Sequence, residues 1–271
     1  MSASNVTEPF EYAVSHRFDA FEWFPDKGPA GGGWLETDVP ASVRAEICGT
    51  ARRHDIALSV HGSWNADPRA AEGLVRLSSQ AQFAAEIGAS IFVLHAADAD
   101  PDVVRYIEAI APLSRRLAAD GIGLAIENTP ATRAGDLNDL FGHLRARSWP
   151  EGRVGLCLDV GHANLCADTR NDYLAYVDRL APEVPITHIH LHENWGDQDS
   201  HLTVFTGPAG RDPAGVEGLV DRLVRRGFAG AIILEQWPYP PALLDLARDR
   251  LAALIAARRP VGATSAGRPC P

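Results

Sequence analysis

Ile186-Thr-His-Ile-His-Leu-His192 alternates without a break: His188, His190 and His192 share one parity, Ile189 and Leu191 the other. Extended chain sends successive side chains to opposite faces, so this predicted strand has one imidazole face and one aliphatic face. The next residues, Glu193-Asn-Trp-Gly-Asp-Gln-Asp-Ser-His201, add Asp197, Asp199 and His201. Imidazoles and carboxylates at that density are costly as packing and natural as donors to a divalent cation. The competing reading is a polar strand end with solvated histidines.

Working outward, short apolar runs recur at 20–24, 56–61, 91–95, 122–127, 154–159 and 231–235. Helical stretches separate them: 9–17, 39–55, 67–88 with Asp67 as N-cap and Pro68 first, a helix opened by Asp100-Pro101 to about 120, 135–147, 171–180, one opened by Asp212-Pro213 and stopped by Gly227, and 241–259. Runs apolar on both faces are parallel strands covered by helices. Strand–helix alternation occurs seven times, and Met1-Ser-Ala-Ser-Asn5 offers a short or incomplete first strand as an eighth. That count, near about 250 residues, predicts a single-domain (β/α)8 TIM barrel over 1–259. The Pro-, Gly- and Ser-rich stretch 260–271 reads as a disordered tail. A doubly wound sheet is the alternative, weakened because no Gly-x-Gly-x-x-Gly turn follows a strand. The loop 27–38, with Gly31-Gly-Gly33, is a candidate lid.

The net charge of −10 and pI near 5.4 disfavour a nucleic-acid partner. Lys27 is the only lysine, which nearly excludes a lysine base or Schiff base. Cys48, Cys157, Cys166 and Cys270 form no Cys-x-x-Cys pair, and Cys157 reads as a small core residue. Neither a signal pattern nor a run of about 18 apolar residues appears, so the expectation is a soluble cytoplasmic protein with no membrane role. A homodimer is one candidate assembly.

His61, His95, Glu127, Asp159 and Glu235 each end an apolar run. Glu127 shares its parity with Gly123 and Ala125, Asp159 with Gly155 and Cys157, and His61 with Ala57 and Ser59. The small-residue face is the barrel interior, so the ionisable groups converge on the C-terminal mouth. Carboxylates crowded there repel one another unless a cation joins them. Singly, each is as well explained as a rim salt-bridge partner. Trp23, Trp64, Trp195 and Trp237 lie near strand ends and are candidate substrate-stacking rings, with rim packing as the plain alternative. Arg133 and Arg211 are loop cations able to meet an anion.

Asp159-Val-Gly-His162, His190-Leu-His192 with Asp199-Ser-His201, Glu127-Asn-Thr and Leu234-Glu235 resemble the xylose-isomerase-like TIM-barrel superfamily, which includes sugar isomerases, epimerases and endonuclease IV. The resemblance runs from about Phe10 to Ala257. Its isomerase and epimerase branch implies one manganese, cobalt or magnesium held by Glu127, Asp159, His190 and Glu235. There Glu127 and Glu235 also serve as acid and base, while His162 orients substrate. His61, Trp64, His192, Trp195, Trp237, Trp23 and Arg211 would line the substrate pocket. The endonuclease IV branch implies two or three zincs, adding His61, His95, His162, Asp199 and His201. Every one of those positions is filled. Strand parity admits either His190 or His192 as the inner ligand; only the resemblance selects His190. Isomerase or epimerase action on a sugar or polyol-like carbonyl compound is ranked first, because the acidic surface and the loop Ala96-Ala-Asp-Ala-Asp100 oppose a DNA substrate. After Asp159 the chain also reads Val-Gly-His where endonuclease IV reads Thr-Cys-His. A multinuclear zinc hydrolase ranks second and a polyol dehydratase third.

Overall fold

The computed structural model describes residues 6–27, 32–96, 103–149, 153–236, 238 and 240–258. In chain order the elements are α1 (Glu8–Ser15), β1 (Ala20–Trp23), α2 (Ala41–His54), β2 (Ala57–His61), α3 (Ala71–Ile87), β3 (Ile91–His95), α4 (Val103–Ala119), β4 (Gly123–Glu127) and α5 (Ala134–Ala146). They continue as β5 (Val154–Asp159), α6 (Val160–Leu165), α7 (Tyr173–Arg179), β6 (Ile186–Leu191), α8 (Pro208–Arg211), α9 (Ala214–Arg225), β7 (Ala231–Leu234) and α10 (Ala242–Ala256). All seven strands are parallel, each hydrogen-bonded to the next in order β1 to β7. They form a nearly closed TIM barrel with helices outside. No ladder joins β7 to β1 among the described residues. That seam opens a cavity of about 760 Å³, lined by Phe21, Ile232, Leu234 and Leu251 among others. The candidate eighth strand, Met1 to Asn5, lies outside the described residues, as do 28–31 of the glycine loop and the tail 260–271.

Strand parity decides what faces the axis. Val93, Ala125 and Cys157 form a separate small buried cluster inside the barrel. Leu58, Phe92, Leu94, Leu124, Ile126, Leu156, Leu158 and Ile189 point outward into the main core with the helices. The layers are therefore small inside, branched and aromatic outside, leaving room near the axis for imidazoles and carboxylates.

Trp23 belongs to the outer layer. It is 1% exposed and packs on Phe10, Phe21, Trp34 and Phe83. Burying about 150–250 Å² of indole contributes roughly 4–6 kcal/mol as an upper bound. The expectation that it lines a substrate pocket is thus corrected: the residue one position earlier, Glu22, faces the axis.

Helix starts also differ from the sequence reading. Asp67 does not cap α3, which starts at Ala71 with Ala70 as N-cap. Asp67 instead takes the Arg69 amide at 2.8 Å and pairs with its guanidinium, so its carboxylate is used in a turn before the helix. The short helix α6 has no counterpart in the sequence reading. Six residues hold too little periodicity to show, but Asp159 caps the helix by accepting the His162 amide at 2.6 Å. That cap sets where His162 points.

Candidate metal centre

His61, His95, Glu127 and Asp159 are the last residues of β2, β3, β4 and β5, and Glu235 follows β7 directly. Glu127 and Asp159 are fully buried, and Asn128 links their strands. Its amide nitrogen donates to the Asp159 carbonyl and its oxygen accepts the Asp159 N–H, both at 2.9 Å. Asp199 and His201 arrive by a loop. Glu193 and Leu202 exchange main-chain hydrogen bonds at 2.9 and 2.8 Å, which closes residues 193–202 and folds His201 onto His192, ring centroids 4.1 Å apart. The Glu193 carboxylate accepts from the amides of Phe205 and Ala209 and fixes the base of this loop. Gly161 is required by close approach: a Cβ there would fall 1.9 Å from His192 Cε1.

Glu127 lies at the centre. Its Oε2 is 2.9 Å from His61 Nε2 and 3.4 Å from His95 Nε2. Its Oε1 is 3.4 Å from His162 Nδ1 and 3.3 Å from His190 Nδ1. His190 Nδ1 also stands 3.2 Å from Glu235 Oε2 and 3.8 Å from Asp159 Oδ2. Farther out, Asp199 Oδ2 is 3.2 Å from both His162 Nε2 and His201 Nε2. His192 Nε2 is 3.3 Å from Asp159 Oδ2 and 3.7 Å from Asp199 Oδ1. All nine positions named from the sequence, His61, His95, Glu127, Asp159, His162, His190, Asp199, His201 and Glu235, thus converge in one cluster. His190 rather than His192 stands among Glu127, Asp159 and Glu235.

The donor chemistry fits cations. His61, His162 and His201 each place Nδ1 on a backbone carbonyl, of Gly62, Asn128 and Glu235, at 2.5, 2.8 and 2.9 Å. That contact fixes the tautomer and turns Nε2 inward, as outer partners of ligating histidines do. Buried polar atoms are normally paired. Here Glu127 Oε1, His190 Nδ1, His192 Nδ1 and Glu235 Oε2 are buried without an aligned hydrogen-bond partner. Donor atoms of His61, His95 and Glu127, of His61, His190 and Glu235, and of Asp159, His162 and His192 lie within 4.8 Å of one another in each group.

Electrostatics say the same. Burial would raise the Glu127 carboxyl, but the charges of His190, His95 and His61 hold it well below the usual carboxylate range. Burial would lower His61, yet Glu127 lifts it to about 9. His201 is likewise lowered by burial but raised to about 9, chiefly by Asp199 and then Glu235. His162 and His190 are raised well above the ordinary imidazole value against the effect of burial. Glu235 falls to about 2, again against burial, through His190. Imidazolium ions supply the positive charge that the carboxylates demand.

Trp64 and Trp195 are exposed at the rim. The Arg211 guanidinium lies 4.7 Å over the Trp195 ring and makes no ion pair among the described residues. Arg133 is an exposed partner of Asp168, 3.6 Å away. Trp237 lies outside the described residues. Two interior residues escape the sequence reading as site components. Cys157 Sγ lies beside Glu127 and His190. Glu22 is buried beneath His190; the signal is present, since a carboxylate in Ala20-Phe-Glu-Trp-Phe24 shares parity with Ala20 and not with Phe21 and Trp23.

No helix among the described residues is long and apolar enough to cross a membrane. The chain is 17% identical to a D-tagatose 3-epimerase-like protein, 94% of each chain covered, TM-score 0.73. It is 23% identical to the TTHB071 protein of Thermus thermophilus, a structure soaked with ZnCl2, over 96% of each chain, TM-score 0.65. Endonuclease IV from the same organism is 18% identical, with 93% of this chain and 95% of that one covered, TM-score 0.64. These likenesses establish the fold. The protein y4fM of Sinorhizobium fredii, described as uncharacterized, is 28% identical over 66% of this chain, and the match spans 64% of y4fM's own length. Residues 10–256 match the family of xylose isomerase-like TIM barrels, and the chain belongs to it.

Proposed function

We propose that the protein is a multinuclear divalent-metal hydrolase acting on small phosphate esters. One observation carries this: Glu127 turns Oε2 to the Nε2 atoms of His61 and His95 and Oε1 to the Nδ1 atom of His190. A carboxylate divided in this way would be able to join two cations. His61, His95 and Glu127 would hold one cation; Glu127, Asp159, His190 and Glu235 a second; His162, Asp199 and His201 a third. Bound cations of this kind supply Lewis acidity toward phosphoryl oxygens and make water acidic enough to act as a nucleophile near neutral pH. The protein's part is positional. His61, His162 and His201 are oriented by their carbonyl partners, Asp159 by Asn128, and the 193–202 loop by Glu193. Arg211 on Trp195 gives the rim a cation for a substrate anion. The overall charge of −10 repels a polymeric phosphate backbone and leaves small esters as the favoured class.

The ranking drawn from sequence is reversed on this ground. An isomerase or epimerase needs two carboxylates able to reach substrate on either side. Glu127 is 0% exposed and surrounded by four imidazoles. Glu235 supports the second reading, since its side chain is 20% exposed at the mouth and one oxygen lacks an aligned partner.

The test is metal content of protein purified without chelator, followed by assay on aryl and sugar phosphate esters and on keto-sugars. Two or three zinc or manganese ions per chain with phosphate release supports the proposal. One ion per chain with keto-sugar epimerisation overturns it in favour of the second reading.

A further inference from the structure

His188 shares the imidazole face of β6 with His190 and His192 but is not one of the nine clustered donors. Its Nε2 lies 3.0 Å from Glu22 Oε2, and Ser59 Oγ donates to the same oxygen at 2.8 Å. The other oxygen, Glu22 Oε1, lies 2.8 Å from His190 Nε2. Glu22 thus grips two histidines two residues apart on one strand, from below the cluster. His188 and His190 are 1% and 0% exposed, so these contacts are shielded from bulk solvent. The His190 Nε2 has no other hydrogen-bond partner, so Oε1 is the acceptor nearest to it. A carboxylate has only acceptor oxygens, so it holds a hydrogen on Nε2 and leaves Nδ1 as the nitrogen that gives up its proton when a cation binds. That Nδ1 is the atom facing Glu127, Asp159 and Glu235.

We propose that Glu22 is a positioning residue for the central cation: it fixes His190 in the Nε2–H tautomer, and His188 with Ser59 holds Glu22 in place. The inference rests on the metal-centre reading above and adds to it a residue that touches neither cation nor substrate. It also accounts for His188, whose role is to anchor the carboxylate on the side away from the mouth.

The experiment compares wild type with Glu22→Gln, an isostere whose amide can present a donor to Nε2. Cobalt(II) titration followed by visible absorption reads the affinity, and long-range 15N NMR of the zinc-loaded protein reads the His190 tautomer. Outer partners of ligating histidines typically contribute about 10- to 100-fold in metal affinity. The expected result is a loss of that order at the central position in Glu22→Gln, with loss of the pure Nε2–H signal and unchanged metal-free circular dichroism. His188→Gln should retain the tautomer only in part and lose less affinity. Should Glu22→Gln fail to fold, His188→Gln with Ser59→Ala carries the same test. Equal cobalt affinity with an unchanged tautomer overturns the role of Glu22 and leaves the metal centre standing. A wild-type protein that takes up no cobalt or zinc overturns both.

Discussion

Loading the centre with cations should expel protons, and the number follows from the geometry. His61 and His201 each hold a proton with pKa about 9, because Glu127 faces the first, and Asp199 and Glu235 the second, strongly enough to outweigh burial. A ligating imidazole must be neutral. At pH 7 removing a proton from such a group costs about 2.7 kcal/mol, two pH units at about 1.36 kcal/mol each, or roughly 100-fold in apparent affinity. The two histidines belong to different donor sets, so each set carries its own penalty. Raising the pH from 7 to 8 should tighten each of those positions about tenfold. Zinc titration in weak buffer at pH 7, with a chromogenic competitor and a pH indicator, measures affinity and proton release together. At least one proton should leave per ion bound at those two sets. The metal-free protein must show the complementary trend. Raised histidines contribute stability that is fully present below about pH 6.5, their unfolded value, and is lost as pH rises through about 9. Glu235, lowered to about 2, contributes stability present above its unfolded value near 4.5 and lost as pH falls toward 2. Metal-free stability should therefore peak between about pH 4.5 and 6.5, while metal affinity climbs toward pH 9. Affinity independent of pH from 7 to 9, with less than about half a proton released per ion, would refute the charge network.

Three other outcomes follow from single contacts. Gly161→Ala puts a methyl into the His192 ring, which is stacked on His201, so overpacking should cost about 1–3 kcal/mol in denaturant titration and weaken the outer cation position. Asp199→Asn removes the charge shared by His162 and His201; metal content by mass spectrometry should fall by one ion per chain, with β-sheet circular dichroism unchanged, and undiminished content counts against a third position. Arg211→Ala removes the rim cation without touching any donor, so metal content should hold while KM for an anionic substrate rises with little change in kcat. A kcat loss at constant KM would place Arg211 in the chemistry instead.

The fold is legible because its signal is repetitive. Seven strand–helix alternations read the same way, and an error in one leaves the pattern intact. The convergence of strand-end donors follows from parity: in a barrel, residues sharing a face with Ala125, Cys157 or Ser59 must look toward the axis. Where parity is applied unevenly, the reading fails. Nearness to a strand end puts Trp23 at the site, although it alternates with Glu22 and so has to face the helices. The same alternation, followed through, brings Glu22 beneath His190. What parity cannot supply is depth. His188, His190 and His192 are equivalent by alternation, yet they occupy three levels along the axis. Register separates them: His190 pairs across from Asp159, while His188 lies one step lower, across from Cys157. Register depends on the neighbouring strand, which a single run of sequence does not contain. Asp199 and His201 are invisible to alternation for a different reason. They reach the cluster through the Glu193–Leu202 closure, a contact between loop ends that leaves no periodic trace. The proposal of several cations rather than one therefore rests on a feature that only the packed chain displays, namely which oxygen of Glu127 faces which histidine.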